Sequence, residues 1–406
     1  MTVSQGINIT LARKVQGALG TAASGSGGQL LRRVSAAFNV TKDTYENNEI
    51  ASHQQSTGAT HGIRKSAATI TGLASAATYE AEQAALLRKA WAATSAISSL
   101  SLTIAASGSN YTITRASGDF LTGGIKIGDV IRLSGGSLAA GNVGINIVVL
   151  GVTSTVITGN VPTGTALVAE GPIASCTVTV VGKKSWVPTS GHTNLYFTYE
   201  EWYSDLSRSH VYKDFQPATM EVSMPATGNV GMNIGLIGLG SVSRTGSQVL
   251  TTPTAETTTS VLSAIAGKAY LGGTGQTVIT SCTVNIDGGV THGEAVIGSN
   301  TIPDTQKTRV KVSGTFTMLY TDDTQVTVYD NETVTSLILY LADDRTDGAD
   351  FFTVVLPEVK LFSADRDDGE KQIIRTFSFT GQICSTGGAS LANHQTICSV
   401  QDSTLV

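Results

Sequence analysis

The clearest pattern along the chain is a strand-type alternation that occurs twice. After Leu30-Leu31-Arg32-Arg33, the apolar positions Val34, Ala36, Phe38 and Val40 alternate with Ser35, Ala37 and Asn39. One apolar face and one small, polar face is the signature of a half-buried strand. A polar middle follows, with Lys42, Asp43, Glu46, Glu49, His53, His61 and Arg64, and the chain then returns through Ala68-Thr69-Ile70-Thr71-Gly72-Leu73. Much later, Ser281-Cys282-Thr283-Val284-Asn285-Ile286, a second polar middle and Gly314-Thr315-Phe316-Thr317-Met318-Leu319 repeat this layout. Ser35 and Ser281 stand 246 positions apart, and so do Thr69 and Thr315. Two separated blocks with one offset predict a duplicated long β-hairpin, and such a repeat governs the whole fold.

Each hairpin is followed by a segment whose apolar residues fall at helical spacing. Ala84, Leu87 and Trp91 predict a helix over residues 79–93, with Glu80 and Glu82 ahead of Arg88 and Lys89, the order the helix dipole favours. Val334, Leu337, Ile338 and Leu341 predict its counterpart over residues 331–342, at an offset of 250. Residues 215–224 and 232–239 read as a returning strand pair around a turn at 225–229. Their counterparts are expected 140 positions on, with Pro217 matching Pro357 and 233–239 matching 373–379. The fall in offset leaves about 110 extra residues in the first copy. In that interval, residues 99–183, charges are sparse and short β-type runs recur at 111–114, 125–133, 146–152 and 176–181, which predict a small inserted β-domain. Dense aromatics follow (Tyr196, Phe197, Tyr199, Trp202, Tyr203) and are read as packing over the seam where the chain re-enters the parent unit.

The expected fold class is therefore mainly β with flanking helices: two tandem barrel or sandwich units, the first carrying an inserted β-domain. The expected divisions are an N-terminal arm (1–28), unit 1 (29–95 and 186–240), the insertion (96–185), a linker (241–273), unit 2 (274–386) and a tail (387–406). Composition agrees with strands and tight turns: 44 glycines, 14% charged residues and 41% hydrophobic residues in 406. A net charge of −5 argues against a protein that grips nucleic acid through a basic surface. Cys176, Cys282, Cys384 and Cys398 match no zinc or redox spacing and are expected as free thiols in a reducing compartment. No 18-residue apolar run marks a membrane span, and residues 1–20 lack a signal-peptide layout, so a soluble, cytoplasmically made protein is expected.

A search for chemistry finds no catalytic set, and the protein is not expected to be an enzyme. Gly182-Lys183-Lys184-Ser185 resembles the end of a phosphate loop but lacks the required earlier glycine. Asp343, Asp347 and Gly348 suggest a calcium loop, yet Arg345 sits at a ligand position and no terminal Glu follows. Asp365, Asp367, Asp368, Gly369 and Glu370 read as a solvated hairpin tip, and the six histidines show no metal spacing. No cofactor or metal is expected.

The order of hairpin, helix and returning strand pair resembles the tail tube proteins (major tail proteins) of long-tailed bacteriophages. The matching stretches are Arg33-Val34-Ser35 through Glu49-Ile50, residues 62–73, and Val354-Val355-Leu356-Pro357-Glu358-Val359. Phe120-Leu121-Thr122-Gly123-Gly124-Ile125-Lys126-Ile127-Gly128-Asp129-Val130-Ile131, with Asn142-Val143-Gly144, resembles a β-module inserted in such proteins. The resemblance implies a structural virion protein whose rings stack into a tube that conducts double-stranded DNA. It implies further that the protein is assembled in the host cytoplasm, with a tape-measure protein and tail terminator or tip proteins as partners. Two units per chain make a pseudo-sixfold ring of three chains the expectation, with six chains as the alternative. Asn39, Thr41, Asn285 and Asp287 are the expected lumen-facing residues. Asp43, Glu46, Glu49, His53, His61 and Glu294, in the hairpin middles, are the expected ring-stacking residues. The competing readings are a secretion-system tube protein, which lacks such duplication, and an exported adhesin or carbohydrate-binding β-protein.

Overall fold

The computed structural model describes residues 3–50, 52–367 and 369–405. Eight strands form one continuous antiparallel wall: β1 (Ser35–Glu46), β2 (Ala59–Leu73), β3 (Arg208–Met224), β4 (Gly231–Gly238), β5 (Ile279–Asp287), β6 (Lys311–Leu319), β7 (Phe351–Arg366) and β8 (Ile374–Gln382). Their spatial order is β1-β2-β4-β3 for the first repeat and β5-β6-β8-β7 for the second, joined by pairing of β3 with β5. The hairpin duplication is exact in register: Ser35 lies opposite Thr71, and Ser281 lies opposite Thr317, each partner displaced by 246.

The ladders correct the expected match of the returning strands. Pro217 lies opposite Leu236, and Leu361 lies opposite Phe379, so Leu361, not Pro357, occupies the position of Pro217. The offsets there are 144 and 143, not 140. Pro357 sits inside β7 and makes no turn. Both strands bulge at the matching residue, Ala218 in β3 and Phe362 in β7. The bulges bend these long strands so that their first halves leave the wall and join a second, outer sheet.

The helices also differ from expectation. The first is a short α1 (Glu80–Leu86), and the second, α2 (Thr324–Asp330), lies before the predicted segment, at an offset of 244 rather than 250. The expected helix at 331–342 is instead the strand Thr335–Ala342. Its alternate residues are buried on opposite sides: Leu337, Leu339 and Leu341 face the main core, and Ile338, Tyr340 and Ala342 face a separate one. Burial on both faces removes the polar alternation, and the resulting apolar run mimics a helical stripe.

Segments expected to be arm, linker and tail are built into the outer sheets. Ile9–Val15 pairs with Phe197–Tyr203, Ser263–Leu271 pairs with Thr335–Ala342, and Ser399–Asp402 lies between β7 and Lys183–Trp186. Between wall and outer sheets lies one apolar core that runs through both repeats, with Phe197, Phe215, Phe316 and Phe377 among its largest members.

The insertion is a closed six-stranded barrel with its own core, built from Ala96–Ser107, Asn110–Arg115, Val130–Gly135, Ile147–Val152, Val156–Asn160 and Glu170–Val180. It interrupts the first repeat in sequence but packs on the second. Val130, Val148 and Leu150 meet Tyr270, Ile338, Tyr340 and Phe351. Asn146 donates to Tyr340 Oη at 3.0 Å, and Lys268 and Tyr270 both donate to Asn160 Oδ1, at 3.0 and 3.1 Å.

Candidate assembly edges

The features with chemical potential in the sequence prove to be structural. Lys184 Nζ lies 2.9 Å from both Asp129 oxygens, so the Gly182–Ser185 stretch holds a buried ion pair and not a phosphate. Asp347 accepts the hydroxyls of Thr163 and Thr165, which ties the barrel to the second repeat. Among the described residues no group of three or more His, Cys, Asp or Glu side chains is placed to hold a metal. In the acidic turn after β7, Asp368 lies outside the described residues. A cavity of about 480 Å³ is lined by Lys89, Lys126, Lys184, Trp186 and His394. Its cations are already engaged: Lys126 Nζ donates to the carbonyls of Gly388, Ala389 and Leu391, and Lys89 Nζ lies 4.0 Å above the Trp186 ring. Burial, with the nearby lysines, pushes His394 down to about 3, so its stacked ring is neutral. Of the five aromatics expected to pack, Phe197 and Tyr199 are core residues, and Tyr196, Trp202 and Tyr203 are half-buried outside it. All four cysteines are free and buried.

What remains is the wall. Its core-facing side carries Phe38, Ile70, Ile234, Val222, Val284 and Phe316. On the opposite side, cross-strand neighbours run Ala37, Thr69, Gly235, Thr219, Asp287, and, one step along, Thr71, Asn233, Glu221, Asn285, Ser313, Thr380. Asn39, Thr41, Asn285 and Asp287 all lie on this one polar face, the first two on the outermost strand and the other two at the wall's centre. Hydroxyl and amide groups dominate it, and its charges alternate in sign: Lys65 is bonded to Asp43 at 3.1 Å, and Lys311 lies opposite Asp287.

The hairpin middles are arranged unequally. Asp43, Glu46, Glu49, His53 and His61 project with β1 and β2 beyond the body, all exposed except the half-buried Asp43. The second middle, which carries the exposed Glu294, folds back on the first repeat of the same chain. His292 Nε2 lies 3.0 Å from Gly238 O and 3.3 Å from Ser66 O, the Arg64 amide donates to Asn300 O at 2.9 Å, and Tyr196 donates to Asp304. The second middle was expected to reach outward; these bonds hold most of it within the chain. Ile50 and Ile297, one in each hairpin middle, remain fully exposed.

The junction between repeats is closed by three features. Six residue pairs join β3 and β5, from Thr219–Asp287 to Met224–Cys282. The Gly288 amide donates to the carbonyl of the bulged Ala218 at 2.7 Å. Arg88, just past the end of α1 with φ +59°, donates through Nη2 to Gly288 O at 2.6 Å and to Thr308 O at 2.7 Å. The sequence marks Arg88 only as a charge near a helix end and gives no sign of its contact with Gly288, because the two lie 200 residues apart. At the two ends of the wall, among the described residues, no strand pairs with the outer side of β1 or with the outer side of β7 around 361–365. An unpaired edge presents a row of free backbone donors and acceptors and invites another strand.

A polar-faced, open-edged, duplicated wall with small helices behind it defines a β-structural protein built to associate with itself. The family model for phage tail tube proteins matches residues 6–381, nearly the whole chain. The chain belongs to that family: it is a structural component of a phage tail tube. No curated protein matches it. Among the described residues no helix is long and apolar enough to cross a membrane.

Proposed function

We propose that three chains close head to tail into a ring and that rings stack into a tube whose bore conducts double-stranded DNA into the host. The observation that carries this reading is the junction of β3 with β5. One chain already contains a repeat-to-repeat contact, and the edges left over, β1 and the end of β7, are the same two surfaces. A heterologous contact of this kind closes into a ring when its rotation allows. Eight wall strands per chain give 24 around such a ring.

The polar face then lines the bore. Its hydroxyls, its amides and the interspersed charges of Lys65, Lys311, Asp43, Glu221 and Asp287 offer DNA no continuous cationic track, so phosphates slide without release of many counterions. Asn39, Thr41, Asn285 and Asp287 are lumen residues on this reading. The projecting first hairpin, with Glu46, Glu49, His53 and His61, and the exposed Ile50 and Ile297 supply contacts to the next ring. The tape-measure protein occupies the bore during assembly, and terminator and tip proteins cap the ends. Cryo-EM symmetry or native mass spectrometry of isolated rings tests the stoichiometry: three chains per ring are expected, and six overturn the proposal.

A further inference from the structure

The intrachain junction is a template for the contact between chains, and it specifies residues. The two repeats correspond at 246 in the hairpins, 244 in the helices and 144 in β3 and β7, so each partner at the β3–β5 junction has a counterpart at a free edge. Thr219 opposite Asp287 becomes Ser363 opposite Thr41, and Glu221 opposite Asn285 becomes Asp365 opposite Asn39. The bulged Ala218, which receives the Gly288 amide, becomes the bulged Phe362, and Gly288 becomes Lys42. Ala218 is 5% exposed, whereas Phe362, at the unfilled edge, is 59% exposed.

The helix ends correspond closely. Arg88 and Glu332 each follow a helix C-cap with positive φ (+59° and +52°), and each backbone amide donates to the residue three back, Ala85 O and Tyr329 O. The next amides, Lys89 and Thr333, donate to Ala84 O and Val328 O, again 244 apart.

A side chain built at Gly288 would point at the end of α1: its Cβ would lie 2.7 Å from Leu86 Cδ1 and 3.7 Å from Leu86 O. Leu86, the Ala218 carbonyl at 3.2 Å from that Cβ, and the Arg88 guanidinium on Gly288 O crowd the position and favour glycine. At the other junction the helix end carries Asp330 in place of Leu86 and Glu332 in place of Arg88, and the facing position is Lys42. Asp330, Glu332 and Lys42 are all exposed in the single chain. Glu332 is bonded to Lys360 at 2.7 Å, so the edge holds two carboxylates and one ammonium.

We infer that Lys42 of the adjacent copy docks between Asp330 and Glu332 at the C-terminal end of α2, with β7 and the neighbour's β1 paired in the register Ser363–Thr41, Asp365–Asn39. The cation balances the edge and meets the negative end of the helix dipole. This rests on the ring proposed above and names its adhesive residues.

Charge reversal and cross-linking test it. Lys42→Glu, or Asp330→Lys with Glu332→Lys, should each raise the concentration for half-maximal ring formation by at least about tenfold, as buried charge pairs at interfaces do. Combining all three should restore it to within about threefold. All native thiols are buried, so introduced cysteines report alone. Ser363→Cys with Thr41→Cys should give disulfide-linked trimers. Ser363→Cys with Asn39→Cys should not, because diagonal partners stand too far apart. Failure of the three-residue swap to rescue, or cross-linking only in the slipped pair, overturns the inference while rings still form. Absence of rings from the unaltered chain overturns the ring reading itself.

Discussion

The buried pair Asp129–Lys184 fixes the barrel to the outer sheet, and breaking it has a calculable signature. Asp129 stands just before the barrel strand Val130–Gly135, and Lys184 lies in the outer-sheet strand Lys183–Trp186. Lys184 Nζ is 2.9 Å from both carboxylate oxygens, and the Lys126 amide donates to Oδ2 at 2.8 Å. Both side chains are almost wholly buried. Lys184→Met leaves a buried carboxylate with no cation, which costs about 3–5 kcal/mol. Asp129→Asn with Lys184→Met keeps the acceptor for the Lys126 amide, removes the charge, and should recover most of that loss.

The pH dependence has a definite sign. Burial already raises the Asp129 carboxyl above its ordinary value, against the pull of Lys184. Without Lys184 it rises further. A carboxyl with a raised folded pKa costs nothing below its unfolded value, near 4, and destabilises progressively as pH climbs through the folded value. Urea unfolding followed by tryptophan fluorescence is the assay; Trp186 is two residues from Lys184, stacked on His394. The Lys184→Met variant should lose little stability at pH 4 and the full amount at pH 8. A loss below about 1 kcal/mol at pH 8, or equal losses at both pH values, refutes the reasoning.

Three further outcomes are expected. Gly314→Ala should destabilise by about 1–3 kcal/mol in thermal or urea melts, since the new Cβ would lie 2.1 Å from Thr283 O and 2.5 Å from Phe379, although Ala68 holds the same position in the first repeat. Burial pushes Cys282 and Cys398 up to about 12, so a thiol reagent at pH 8 should titrate none of the four cysteines in the native chain and all four after denaturation. Thr69→Lys with Ser313→Lys, on the same polar face but away from both junction strands, should leave tubes intact by electron microscopy but slow DNA passage, with the delay relieved by added salt.

The wall is clearly legible in the sequence and the outer sheets are not. β1, β2, β5 and β6 are buried on one face, so alternation survives in Phe38–Val40 and Val284–Ile286, and the register of the duplication survives with it. Thr335–Ala342 is buried on both faces, and its unbroken apolar run reads as helix. Ile9–Val15 was hidden differently: its Arg13 is buried against Glu80 and Glu82, so a charge marks an interior strand as a surface arm. The jump in offset marks an insertion, but its seat on the second repeat joins Val130, Val148 and Leu150 to Tyr270, Ile338 and Tyr340 and pairs Asn146 and Asn160 across the contact, partners whose matching leaves no local pattern. The assembly edges fall in the same class. Lys42, Asp330, Glu332 and Phe362 look like ordinary surface residues until the helix offset is corrected to 244.

Divergence between the two repeats has a physical use. A chain of identical repeats can exchange partners: the end of β7 can pair with a neighbour's β5 as readily as with its β1, and swapped or open assemblies follow. Here the two junctions differ in charge. On the proposed ring, Arg88 reaches carbonyls beside a glycine, and Asp330 with Glu332 receives a lysine. The wrong pairings set Arg88 against Lys42, a like-charge contact, or Asp330 and Glu332 against Gly288, which leaves Lys360 as the one cation for two carboxylates. Either mismatch raises the free energy of the swapped form, which is how specificity between similar surfaces is obtained. The barrel adds to the asymmetry, because it covers the apolar outer face of the second repeat alone. On the first repeat the corresponding strand face buries Glu200, which accepts the amides of Val249 and Leu250 at 2.7 Å from the chain's own crossing segment. A ring of three chains therefore carries three barrels on alternate repeats, and the charge difference at the junctions keeps that alternation in step.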